Sequence, residues 1–279
     1  MTKIATQTFG LKQELTADLT GTIERLHAFG FDAIEPYILF SEKQGNNPGN
    51  LWAFDTLQIA AEKMRELEMA ILSAHIGVGF GWISMPVSMI VKNILKLHET
   101  YGIERFVVSG PFSIPGEARH WASLTRKLSN EVHPHGCTIL YHNHDDEFRK
   151  VRYKSETVSA MDVFLDQTSP DVLLQVDIGW AGLVEDERQL VHRYADRIAS
   201  LHLKDFYSDY MSGYSRKTMR AEAFAPIGEG AIHTQEVLAL IDELPYFAGA
   251  VIIDQDKYSG NMLSALETGC GNIRRMLEG

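Results

Sequence analysis

The chain has 279 residues, 45% hydrophobic and 23% charged, an ordinary globular balance that excludes disordered, collagen-like and membrane-spanning classes. Its 26 Lys and Arg against 37 Asp and Glu leave a formal charge of −11, which repels phosphate backbones and anionic bilayers, so neither nucleic acid nor a membrane is an expected partner. The two cysteines, Cys137 and Cys270, cannot form a disulfide framework; they read as buried free thiols, and with no apolar signal run in MTKIATQTFG they place the chain in the cytoplasm.

Short apolar, β-branched runs recur at 4–9, 33–38, 70–76, 105–109, 138–144, 173–178, 198–204 and 250–255. Each is too short for a helix, and near-continuous apolarity suits parallel strands buried on both faces. Between them lie helical patterns, clearest at 51–67 and at 87–101, where Val87, Ile90, Val91, Ile94, Leu95 and His98 keep a 3/4 spacing. Glycines at 30, 102 and 136 close helices just ahead of the next strand. The longest gap, 206–247, carries Tyr207, Tyr210 and Tyr214, then Pro226-Ile227-Gly228-Glu229-Gly230, then a helix expected at about 233–244. Eight strands alternating with helices predict a single (β/α)8 TIM barrel over 1–279. A doubly wound open sheet is the alternative, but neither Phe9-Gly10-Leu11-Lys12 nor Gly77-Val78-Gly79-Phe80-Gly81 has the phosphate-turn spacing it would show.

The C-terminal strand ends converge on one mouth in a barrel, and here they turn polar. Glu35, His75, Tyr141-His142-Asn143-His144, Asp177, His202-Leu203-Lys204 and Asp254-Gln255-Asp256 occupy them. One ligand from each of four consecutive strands gives His142, Asp177, His202 and Asp254 as a divalent metal set. Singly, each has an ordinary explanation, such as a helix cap for Asp177. Jointly, so many ionisable groups at one mouth require compensation by a cation or a substrate. Trp180 is placed to stack on a sugar face, or simply to pack. Nucleophile elbows and P-loops are absent.

These motifs carry a resemblance. YHNHDDEF at 141–148, DIGWAGL at 177–183, LHLKD at 201–205, PIGEG at 226–230 and DQD at 254–256, with Glu35 and His75, are similar to the xylose isomerase-like barrel superfamily, the sugar phosphate isomerase/epimerase group that includes family-2 apurinic endonucleases. The resemblance implies a divalent metal at the mouth and a small sugar or sugar-phosphate substrate. The family's strand-five and strand-eight glutamates fall on His142 and Asp254, a departure at the usual acid/base pair. Asp254, Glu35 and His144 are then the base candidates, and His75, Lys204, Trp180 and Glu229 the substrate contacts. The expected activity is an isomerase or epimerase working through an enediolate. A keto-sugar or inositol-type dehydratase on the same site and an inactive sugar-binding barrel are the alternatives, while the acidic charge argues against an endonuclease. Replacing carboxylate by imidazole favours Mn, Zn or Co over Mg. Two imidazole ligands predict binding that weakens below about pH 6.5. Homo-oligomers are expected, with the aromatic segment 206–214 as a contact.

Overall fold

The computed structural model describes residues 2–40, 54–77, 85–110 and 112–278. Strands β1 (Lys3–Gln7), β2 (Ala33–Glu35 and Tyr37–Leu39), β3 (Ala70–Ile71 and Ala74–Gly77), β4 (Arg105–Ser109), β5 (Thr138–His142), β6 (Leu173–Asp177), β7 (Ile198–Leu203) and β8 (Ala250–Ile253) lie parallel in chain order. β8 pairs with β1, and the broken strands β2 and β3 pair half with half, so the ring closes into a (β/α)8 barrel. Pro36, which has no N–H to donate, marks the break in β2. The ladder nonetheless carries across it, because Leu72 N donates to Ile34 O and His75 N to Pro36 O. The loop 78–81 and the first turn of the helix expected from 51 lie outside the described residues; that helix is seen from Phe54–Glu66.

Alternation along the strands sorts the barrel into layers. Outward-facing Ile4, Ile34, Phe106, Val108, Ile139, Val176, Leu201, Val251 and Ile253 join one large core with the helices. Each such side chain contributes roughly 1.5–3 kcal/mol when fully buried. Helix Val87–Tyr101 closes that core with Ile90, Ile94 and Leu97 and ends at Gly102, whose φ of 70° is left-handed as expected. Inside the barrel, small clusters of Ala5, Ala33 and Ile252 and of Val107, Leu140 and Ala199 fill the lower layer. Two residues further along the same inward faces stand the ionisable groups: Glu35 above Ala33, His142 above Leu140, and Asp254 above Ile252. The apolar floor forces their charges to be balanced within the mouth itself.

Three features differ from expectation. An antiparallel hairpin, Lys150–Tyr153 with Glu156–Ser159, follows β5. Its turn residues Lys154 and Ser155 have φ of 47° and 70°, a primed turn made without the Asn or Gly that would have signalled it. The expected helix at 233–244 is a short helix Thr234–Leu238 and a single turn Ile241–Glu243, ending at Leu244, which is extended ahead of Pro245. In the segment 206–214, Phe206 is buried against Trp180 and Phe224, so only its tyrosines remain for a contact between copies. Both cysteines are free and buried, and among the described residues no helix is long and apolar enough to cross a membrane.

Candidate metal and active site at the barrel mouth

A register shift places the central pair. Leu174 pairs with Ile198 but Gln175 with Ser200, so β7 carries one extra residue opposite β6. Beyond that bulge Asp177 lies directly beside His202. Without it the ladder would set Asp177 against Leu201, and His202 would face away. Gly179 lets the turn after Asp177 approach β7, since a Cβ there would meet Lys204 backbone and side chain at 2.6 Å.

His142, Asp177, His202 and Asp254 are all buried and each offers a ligand atom within 4.8 Å of the others. A hydrogen-bonded chain orients the imidazoles. His142 Nδ1 lies 3.2 Å from Gln175 Oε1, Gln175 Nε2 donates to Glu35 Oε2 at 2.7 Å, and His202 Nε2 lies 2.9 Å from Glu35 Oε1. The His142 ring thus donates its Nδ1–H into this chain and leaves Nε2 for the centre of the cluster, while His202 Nδ1 is held 3.1 Å from Asp254 Oδ2. Asn143 braces Asp177 by accepting from its N–H at 3.0 Å and donating to its carbonyl at 3.1 Å.

The charges are unevenly matched. Lys204 Nζ donates to Asp177 Oδ2 at 2.9 Å, Asp254 Oδ2 at 2.9 Å and Asp256 Oδ2 at 2.8 Å. Burial alone would lower its pKa, but the three carboxylates raise it, so it stays charged. Burial likewise would lower His202, yet Glu35 and Asp254 carry it up to about 10. His142 is held well below the usual imidazole range by burial and by neighbouring His202 and His75, and His75 is lowered by burial too. Among the described residues, Glu35, Asp177, Asp254 and Asp256 therefore pair with only Lys204 and His202 as charged groups. Asp254 Oδ1 is buried with no hydrogen-bond partner among the described residues. A surplus of negative charge, an unpartnered carboxylate oxygen and a mixed imidazole–carboxylate set all fit a divalent cation. Replacing the lysine cation by an isostere tests this balance. Lys204→Met leaves three carboxylates facing one another and is expected to cost about 3–5 kcal/mol at pH 7. Thermal unfolding should show that deficit shrinking toward pH 4, as the carboxylates take up protons.

A cavity of about 240 Å³ opens over the cluster, lined by His75, Ser109, His142, His144, Trp180, Asp254 and Asp256 among others. His144, Trp180 and His75 therefore all border this cavity. Three expected roles need correction. Glu35 is fully buried, accepts from Ser73, Gln175 and His202, and does not line the cavity; burial would raise its pKa, but His202 and His75 hold it well below the carboxylate range. It is the orienting partner of His202 and a poor base. Lys204 spends its ammonium on three carboxylates and packs over the Trp180 ring at 4.8 Å, so it is not free for substrate. Glu229 is exposed and off the cavity. Its glycine-flanked loop instead wraps Asp205, which accepts from the N–H groups of Gly228, Gly230 and Ile232. Sequence reasoning missed Gln175, although it lies two residues before Asp177 on the same face. Glu147 was missed as well; it is buried, accepts from His144 N at 2.9 Å and from Tyr141 OH at 2.9 Å, and fixes the turn that presents His144. Asp256 is the third omission. Burial and the Asp254 charge raise its pKa to about 6, within reach of neutral-pH proton transfer.

The model of the xylose isomerase-like TIM barrel family matches residues 23–275. The chain belongs to the xylose isomerase-like TIM barrel family. Among curated proteins, inosose dehydratase from Geobacillus kaustophilus is 29% identical over 150 residues, 49% of this chain. The match spans 46% of that relative, about half its length. Solved structures share the whole barrel. A sugar phosphate isomerase/epimerase from Parabacteroides distasonis superposes with a TM-score of 0.76 at 18% identity, covering 98% of this chain and 96% of that one. A probable 3-DHS dehydratase from Bacillus anthracis gives 0.68 at 12% identity over 98% of each chain. A 3-keto-D-glucoside 4-epimerase from E. coli gives 0.66 at 16% identity, covering 99% of this chain and 100% of that one. At these identities the likeness to the solved structures establishes the barrel, which hosts more than one reaction in the xylose isomerase-like family.

Proposed function

We propose that this chain is a divalent-metal-dependent sugar or sugar-phosphate isomerase or epimerase, with His142, Asp177, His202 and Asp254 as ligands. The buried cluster of these four under an open cavity carries the reading. A divalent ion held there supplies Lewis-acid polarisation of a substrate carbonyl or hydroxyl, and the ligand set favours Mn, Zn or Co over Mg. The chain's own groups supply the proton movements. Asp256, after β8, takes the proton from the carbon next to the carbonyl, because its carboxylate lines the cavity beside Asp254. His144, after β5, returns a proton from another strand end. Trp180 and His75 wall the cavity around the substrate, and Glu147 keeps His144 in place.

A second reading is a dehydratase, in which the returned proton goes to a leaving hydroxyl. The partial likeness to inosose dehydratase favours it, as does the absence of the family's glutamates at 142 and 254. Proton exchange in D₂O tests both. Ketoses, aldoses and inososes, each offered with and without a phosphate or carboxylate group, are expected to exchange the C–H beside the carbonyl when incubated with metal-loaded protein, read by NMR. Recovery of an isomer marks the first reading and loss of water the second. Asp256→Asn should slow exchange about 100-fold or more, and His144→Ala should slow product formation by a similar factor, while metal content is kept. No exchange across all three classes would contradict both and leave a sugar-binding barrel.

A further inference from the structure

The outer wall of the cavity differs in charge from its floor. Arg216 and Lys257 line it together with Phe224 and His144. Arg216 comes from the segment between β7 and β8, and Lys257 follows β8. Beneath Arg216 lie Asp145 and Asp146, but both are already served. Arg149 reaches Asp145 Oδ2 at 3.0 Å and Asp146 Oδ1 at 3.2 Å. Arg216 comes no nearer than 3.9 Å to Asp146 Oδ2, which Lys217 also approaches at 3.8 Å. Three cations therefore share two carboxylates. Among the described residues no acceptor lies within hydrogen-bond distance of the Arg216 guanidinium, and its Nε is buried without a partner. Lys257 makes no ion pair among the described residues; its Nζ donates only to Met219 O at 3.3 Å.

A guanidinium with unused donors at a cavity wall has a planar fork suited to a carboxylate or phosphate. In a chain of net charge −11, an Arg216 with one distant, shared carboxylate and a Lys257 with no ion pair among the described residues run against the overall charge at the cavity wall. We infer that Arg216 and Lys257 form an anion-binding arm, holding a carboxylate or phosphate group of the substrate while its carbonyl end lies over the His and Asp cluster. The inference rests on the proposed reading of the mouth as a site for a small polyhydroxylated substrate, and it names that substrate as an acid sugar or a phosphate ester.

Phenylglyoxal labelling of the intact protein, with mass spectrometry at Arg216, tests the arm without turnover. Inorganic phosphate, gluconate and neutral sorbitol are the probes, and exposed Arg126 is the internal control. At about ten times its dissociation constant, phosphate or gluconate should slow labelling of Arg216 about tenfold and leave Arg126 unchanged. Stronger protection by phosphate marks a phosphate ester, and stronger protection by gluconate marks an acid sugar. Lys257→Gln should weaken the protection up to about fivefold. Labelling slowed by neither anion, or slowed equally by sorbitol, overturns the arm. Undiminished protection in Lys257→Gln removes Lys257 from it. Failure of C–H exchange would count against the proton-transfer reading alone, since labelling reports anion binding directly.

Discussion

His202→Ala is expected to lower divalent-metal affinity by more than about 100-fold, since even the outer hydrogen-bond partners of metal ligands are worth ~10–100-fold. The substitution removes a proposed ligand and also frees Glu35 and Asp254, both of which His202 contacts at 2.9 and 3.1 Å. Two buried carboxylates then lose a cationic neighbour, and their protonation competes with metal as well. Equilibrium dialysis against Mn, Co and Zn measures the loss. Glu35→Gln should fall between wild type and His202→Ala, because it keeps a hydrogen-bond acceptor for His202 Nε2 and loses the charge.

Metal uptake should release one proton across neutral pH, and affinity should rise about tenfold per unit from pH 7 to 9. The sign follows from the two imidazoles, which are shifted in opposite directions. Burial would lower His202, but Glu35 and Asp254 raise it to about 10, so the metal-free site holds His202 as an imidazolium that must lose a proton before ligating. His142 is held below its ordinary value by burial and neighbouring imidazoles, and is already neutral. The simple expectation of two imidazoles competing with protons below about 6.5 is thus corrected to one, competing up to about 10. In the metal-free protein the raised pKa also stabilises the fold. That contribution is complete below the unfolded imidazole value of ~6.5 and is lost as pH rises toward about 10. Calorimetry in buffers of different ionisation enthalpy reads the released proton. Uptake with no proton release between pH 7 and 9 would contradict the assignment.

Much of this was legible in the sequence because strands in a barrel are buried on both faces and end in chemistry. Eight short apolar runs located the strands, and their polar ends located the four clustered side chains. The breaks in β2 and β3 were not legible, since Pro36 interrupts a ladder that hydrogen bonds still bridge. Nor was the bulge at Ala199 in β7, opposite Leu174 and Gln175, a register feature with no composition of its own. Residue roles were harder than residue locations. Glu35 and Lys204 were read as free agents because their types suit catalysis, whereas pairing consumes both. Glu229 was drawn in by its glycines, but those serve the wrap around Asp205. Arg216 escaped notice because its segment has no periodicity and its significance lies in what it fails to touch.

Which histidine of the strand-five motif faces the centre decides the make-up of the site, and metal binding to His142→Ala and His144→Ala measures that directly. One divalent ion per chain is expected in the wild type, loss of binding in His142→Ala, and near-full affinity in His144→Ala, whose ring lies 5.2 Å from that of His142 and lines the cavity. Full affinity in His142→Ala together with loss in His144→Ala would contradict it.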